Sequence, residues 1–331
     1  MDAARFDASV LEGFQATATW HQGALRADSA TVGPGPASTV PSCSWAFAVQ
    51  PRSGWGGGAS ARQRATAGWL AALPVFEPHW QVLQSHGLAT GWVQWGARRY
   101  QFTDAPTYSE KNWGCAFPRK WAWAQCNAFE GHPGLAVTAV AGVRDLPVAL
   151  PLLPRTEDVA LIGIHIPHAL MRGGGGGGGS GGDSLTDGES LFLELVPWNG
   201  VVTWEVSPWG AWMLRGRSAD YEAVLTASCQ PGDGTVLRAP TAQRGLAAVC
   251  RDTFAGRATL CVWDRRPGAP SQPIICARST QAALEVGGGP WFTPWVGRSR
   301  MAEPLRSAAS LPIDVQAIAD ALGPRWDPPG L

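Results

Sequence analysis

The nine residues WAWAQCNAF (121–129) alternate with a period of two. Trp121, Trp123, Gln125, Asn127 and Phe129 fall on one side, and Ala122, Ala124, Cys126 and Ala128 on the other. That is the signature of a strand and not of a helix with 3.6 residues per turn. One face is bulky and partly polar, the other small and apolar, so the strand must lie between unlike surroundings. Its bulky wall is expected to face a lumen or a second sheet. Further strands are predicted at 91–96, 98–102, 135–143, 159–166, 190–196, 201–206, 211–217, 222–229, 258–264, 273–278 and 282–287. Turn signals such as PWNG (197–200) and QPGDG (230–234) separate them, and 41 glycines and 27 prolines leave room for few long helices. Only 2–13 and 313–322 read as helical. The expected class is mostly β, an antiparallel sandwich or barrel.

The 331 residues could hold one large β domain or two smaller ones, and either can bury a sizeable core. A glycine tract at 173–182, broken only by Ser180, sits in a low-complexity insert at 172–190 and reads as a loop between strands. It is no phosphate cradle, because no Lys-Ser/Thr follows. The stretch 31–41, TVGPGPASTVP, reads the same way.

Formal net charge is +0, from 26 basic and 26 acidic residues. That supplies neither the basic footprint of a nucleic-acid binder nor a polybasic reach toward anionic lipid. Seven scattered cysteines without a CxxC favour reduced thiols over a disulfide framework. No apolar run approaches the roughly 18 residues of a membrane-spanning helix. The first residues, MDAARFDASVLEGFQ, read as neither a signal nor a transit peptide.

Motifs for serine hydrolysis, zinc proteolysis and dinucleotide binding are missing from the sequence. His165 and His168 flank a proline and have no third ligand near them in sequence, so a zinc site is not expected. The informative groups are carboxylates set among tryptophans: Glu77, Glu110, Glu130, Glu205, Asp252 and Glu285. A carboxyl walled by indoles loses hydration, its pKa rises, and it can serve as a general acid. Each also has a plain reading, as a salt-bridge partner of Arg119, Arg238, Arg251 or Lys111, or as an exposed group. The 18 tryptophans outnumber the 10 phenylalanines and 3 tyrosines together. They could simply be core, but cores ordinarily favour Leu, Ile, Val and Phe. A cavity walled by indole faces would stabilise a transient carbocation by about 0.5–2 kcal/mol.

Several long blocks carry a resemblance. FEPHWQ (76–81), DAPTYSEKNWGCAFPRKWAWAQCN (104–127), VPWNGVVTWEVSPWGAW (196–212), LRAPT (237–241), GLAAVCRD (245–252), EVGGGPWFTPW (285–295) and the terminal PPGL resemble tocopherol cyclases, in that family's order. The resemblance implies paired lipocalin-like β-barrels. It also implies the intramolecular closure of a chromanol ring on a prenylated hydroquinone, with no cofactor and no metal. In plants such enzymes are plastidial, on plastoglobule lipid droplets, so peripheral lipid association is expected. The family's upstream region is not matched, so the resemblance implies an incomplete first half at 1–106 and a second half at 107–331. Carotenoid hydratases, a related group, carry a D-H-x-W-G-like block, and Glu110, Lys111, Asn112, Trp113 and Gly114 occupy the matching places. Glu110 is thus the leading candidate acid, followed by His79, Glu77 and Asp252. Substrate contacts are expected from Trp80, Lys111, Asn112, Trp113, Arg119, Trp121, Trp123, Asn127, Trp198, Trp204, Glu205, Trp209, Glu285 and Trp291. The alternative is a non-catalytic prenylquinone- or lipid-binding protein that keeps the pocket.

Overall fold

The structure is a computed structural model. It describes residues 13–27, 40–56, 65–72, 78–114, 116–146, 156–172, 190–207, 210–230, 232–311, 313, 317–318 and 321. The glycine tract, nearly all of the first predicted helix, Glu77 and Trp209 lie outside the described residues.

Two antiparallel sheets build the fold. The first is a five-stranded meander in chain order: β1 (Gly13–Ala16), β2 (Trp20–Arg26), β3 (Ser42–Ser53), β4 (His79–Trp95) and β5 (Arg98–Trp113). The second has eleven strands: β6 (Lys120–Cys126), β7 (Ala136–Asp145), β8 (Thr156–Ile166), β9 (Leu191–Leu195), β10 (Val201–Val206), β11 (Ala211–Arg217), β12 (Tyr221–Ser228), β13 (Thr235–Thr241), β14 (Gly245–Asp264), β15 (Ile275–Gly288) and β16 (Trp295–Ser299). Their order is β16-β10-β11-β12-β14-β15-β6-β7-β8-β9, with β13 flanking β14. Two one-turn helices, His168–Arg172 and Leu305–Ala309, were not expected from sequence.

The second sheet curls until β16 and β10 approach β8, but no hydrogen-bonded closure joins its edges among the described residues. The sheets are therefore sandwich-like and open. β14 is long enough to serve both β13 and β12, and bulges around Gly256 bend it between those partners. Inside the curl lies the main core. Ala122, Ala124 and Cys126 of β6 meet Ala139, Ile162, Leu214, Leu225, Leu260 and Leu284 there, together with Trp204 and Trp212. The small face of β6 thus packs inward while Trp121 and Trp123 turn to the first sheet; Phe129, expected on their side, lies beyond the end of the strand and joins the main core.

Two side chains fasten the sheets. Trp55, just after β3 and 2% exposed, lies against Gly163 of β8 and donates its indole N–H to Glu194 at 2.7 Å. Asn127 donates from Nδ2 to the Thr107 carbonyl at 2.8 Å and to that of Ser85 at 3.3 Å. One expectation is corrected: Cys261 and Cys276, directly opposite in the β14–β15 register, form a disulfide. Strand register juxtaposes these two thiols, which the scattered spacing in sequence did not reveal.

Candidate active site

Between the sheets lies a cavity of about 270 Å³, lined mostly by apolar atoms. β4 and β5 supply one wall. Their register sets Trp80 opposite Asn112 and Val82 opposite Glu110, so Trp80, Glu110 and Asn112 project to one face, and all three line the cavity. The intervening residues project the other way. His79 stacks on Trp113 at 5.3 Å and Lys111 lies 4.7 Å above the Trp113 ring, on the far face of the strand pair.

Glu110 is held by three donors. The Trp80 indole N–H reaches Oε2 at 2.7 Å, the Tyr108 hydroxyl reaches the same oxygen at 2.5 Å, and Asn112 Nδ2 reaches Oε1 at 3.0 Å. Tyr108 is half-buried, with its ring 5.7 Å from that of Trp123. Burial, then the Glu110 carboxylate, pushes its hydroxyl pKa well above the ordinary tyrosine value, so it remains a proton donor to that carboxylate.

The facing wall comes from β6, β7, β8 and β15. Asp252, Glu285, Trp123, Val140 and Leu161 form one cross-strand row on the outer face of the second sheet. In the next row Gly287 sits beside Trp121, and the missing Cβ leaves the space the indole fills. Trp121 then donates from Nε1 to Glu285 Oε1 at 2.5 Å, and the Cys250 thiol bonds to the same carboxyl. Burial raises the Glu285 pKa. The indole and thiol donors act against that rise, while the charges of Asp252 and Glu110 add to it. Burial raises Asp252 as well. Arg144 and Glu157 close the polar end of the cavity as an ion pair with contacts at 2.6 and 2.9 Å.

Of the residues singled out from sequence, the cavity gathers Trp80, Glu110, Asn112, Trp121, Trp123, Trp198 and Glu285. Asp252 stands behind Glu285 in register. The others lie elsewhere for identifiable reasons. Trp204 packs in the core against Trp295, and Glu205, its neighbour on the opposite face of β10, is exposed. Arg119 is exposed and paired with Asp145 at 2.6 Å. Trp291 lies under the Lys120 ammonium at 4.2 Å. Asn127 serves the junction between sheets, and Glu77 and Trp209 fall outside the described residues. Sequence reasoning passed over Tyr108, although it stands two residues from Glu110 on the same strand face. It also passed over Val140, Gly142 and Val159, whose proximity follows from the register in which the successive strands β6, β7 and β8 pair.

The profile of the tocopherol cyclase-like family matches residues 1–173 and 186–288. Over 331 residues the chain is 40% identical to a protein named probable tocopherol cyclase, chloroplastic, from Oryza sativa subsp. japonica, covering 98% of this chain and 63% of that one. It is also 40% identical to the tocopherol cyclase, chloroplastic, of Zea mays, covering 98% of this chain and 62% of the relative. No solved structure matches. With the match extending over most of its length, and with the two carboxylates and the tryptophan wall inside the matched residues, the chain belongs to the tocopherol cyclase-like family.

Proposed function

We propose that the chain catalyses intramolecular ring closure of a prenylated hydroquinone, such as dimethyl-phytylbenzoquinol, to a chromanol, γ-tocopherol. The monomethyl quinol gives δ-tocopherol. One observation carries the reading: Glu110 and Glu285, brought by different sheets, line one cavity walled by Trp80, Trp121 and Trp123. Ring closure requires two proton movements, and the two carboxyls are differently placed for them.

Glu285, whose pKa burial raises, delivers its proton to the prenyl double bond nearest the ring. The resulting tertiary cation is stabilised by the indole faces and forms away from bulk water. The phenol oxygen attacks that carbon, forming the C–O bond, and its proton passes to Glu110, whose oxygens already accept from Trp80, Tyr108 and Asn112. Glu285 is left ionised and Glu110 protonated, and exchange with solvent resets the pair. The conversion is an isomerisation, in which every electron pair stays within the substrate. Holding the prenyl chain folded over the phenol supplies the orientation. In this scheme Glu110 accepts the proton that the sequence comparison had it deliver, and Asp252 tunes Glu285 from behind.

We further propose that the two sheets correspond to two lipocalin-like halves, that the protein works in the chloroplast, and that it meets plastoglobule lipid. The names of the rice and maize relatives support the compartment. Leu246 and Phe254, 70% and 71% exposed, support lipid contact. The chain spans 63% and 62% of the length of these relatives, so the activity needs testing on the chain itself. Supplied with the reduced quinol in D₂O, it is expected to release chromanol bearing one non-exchangeable deuterium. Glu285→Gln and Glu110→Gln should each lower product formation by about a hundredfold or more and keep binding. Quinol binding without product from the unsubstituted chain would leave a prenylquinone-binding protein.

A further inference from the structure

A second cavity, of about 670 Å³, adjoins the first. The two share Pro78, Phe117, Pro118 and Arg144, so the segment leading into β6 is the partition between them. Phe117 is fixed in that partition. Its amide N–H donates to the Pro240 carbonyl at 3.0 Å, and its ring meets Trp121 edge-on at 5.4 Å. Beyond it, Val249, Pro240 and Pro290 give the second cavity an apolar wall. Of the three arginines along it, Arg119 is met by Asp145 and Arg144 by Glu157, each at 2.6 Å, and Arg244 stands exposed at the solvent side.

The sizes are informative. At roughly 30 Å³ per water-sized heavy atom, 270 Å³ accommodates on the order of ten heavy atoms, about one dimethylated hydroquinone ring. By the same scale, 670 Å³ accommodates about twenty, close to the carbon count of a phytyl tail. The carboxylates stand in the smaller cavity, and only the larger one has room for the tail. We infer that the second cavity is the binding site for the hydrocarbon tail, threaded past Phe117 while the ring and the reacting double bond remain beside Glu110 and Glu285. This rests on the cyclisation reading and adds a specificity element to it: Val249 and Phe117 set which tail lengths bind well.

The test is titration calorimetry of the full chain with benzoquinol analogues whose saturated tails run from one isoprenoid unit to phytyl length. Saturation prevents turnover, so binding is read alone. Each added unit is expected to tighten binding by about tenfold or more, as buried methylenes accumulate. Val249→Trp should cancel the gain for the longer tails and leave the single-unit analogue unchanged. If thermal melting shows that variant unfolded, Val249→Phe carries the same comparison. Affinity independent of tail length, an equal loss at every length in a folded Val249 variant, or displacement of the tailed analogue by inorganic phosphate would overturn the inference. Tail-dependent binding by a chain that fails to cyclise the unsaturated quinol would remove the cyclisation reading and leave the tail site standing. Turnover with tail-independent binding would do the reverse.

Discussion

Gly287→Ala adds a single methyl group, yet the structure gives it a large effect. A Cβ on the observed backbone would lie 1.9 Å from Cζ2 of Trp121, 2.2 Å from Cη2 and 2.3 Å from Cε2. Carbon atoms rest about 3.5–4.0 Å apart, so the indole must retreat by about 1.5–2 Å. Trp121 is only 4% exposed and has little room to move. A shift of that size also takes Nε1 out of reach of Glu285, now 2.5 Å away. Overpacking of this kind costs about 1–3 kcal/mol of stability. Misplacing the indole and the carboxyl it holds should lower kcat/KM by about a hundredfold. Urea denaturation and the deuterium-incorporation assay measure the two effects separately. Repeating the substitution in a Trp121→Ala background isolates the cause, because the methyl then enters empty space and its stability cost should shrink to a few tenths of a kcal/mol. Equal costs in the two backgrounds would refute the argument that Gly287 exists to seat Trp121.

Three other outcomes are expected. Burial raises the Glu285 pKa above 4.5, so the folded protein binds that proton more tightly than the unfolded chain does. Its contribution to stability is therefore greatest at low pH and falls as pH rises from the ordinary carboxylate range through the raised value. Turnover should fall over the same limb, and Glu285→Gln should flatten the stability profile while lowering turnover by about 10²–10⁴-fold, as pH-dependent melting and rate profiles would show. Trp55→Ala removes a side chain 2% exposed at the junction of the sheets and should cost about 3–5 kcal/mol in urea denaturation; a loss under about 1 kcal/mol would place the fastening elsewhere. The Cys261–Cys276 disulfide, with a sequence separation of 15, should contribute about 3 kcal/mol, lost on reduction. Alkylation of both thiols in the unreduced native protein would contradict the pairing.

Much of the secondary structure was legible because period-two alternation is a local property. The motif at 121–129 announced both faces of β6 as far as Cys126, though Phe129 past the strand's end packs with the small face, and the strands from 191 to 228 lie within a residue or so of their expected bounds. β1, β2, β3, β13 and β16 were missed: β1 and β16 are short, β13 holds a proline, and β2 and β3 do not alternate cleanly between buried and exposed residues. β4, β5, β14 and β15 are longer than expected, since bulges interrupt the alternation while pairing continues past them. The disulfide and the cavity wall contributed by β7 and β8 depend on the register between paired strands, which alternation within any one strand does not encode.

The sequence by itself determined the class of fold, the division of β6 into a small and a bulky face, and the family, because each is written in local spacing or in long blocks of residue order. Only the tertiary structure decided that the bulky face looks across to a second sheet, not into a lumen, because the curled sheet fills its interior with Trp204, Trp212 and aliphatic side chains. It likewise decided which tryptophans are wall and which are core, and set Glu285 across a cavity from Glu110. Those choices follow from which distant strands pair, and strand pairing is a property of the folded chain as a whole.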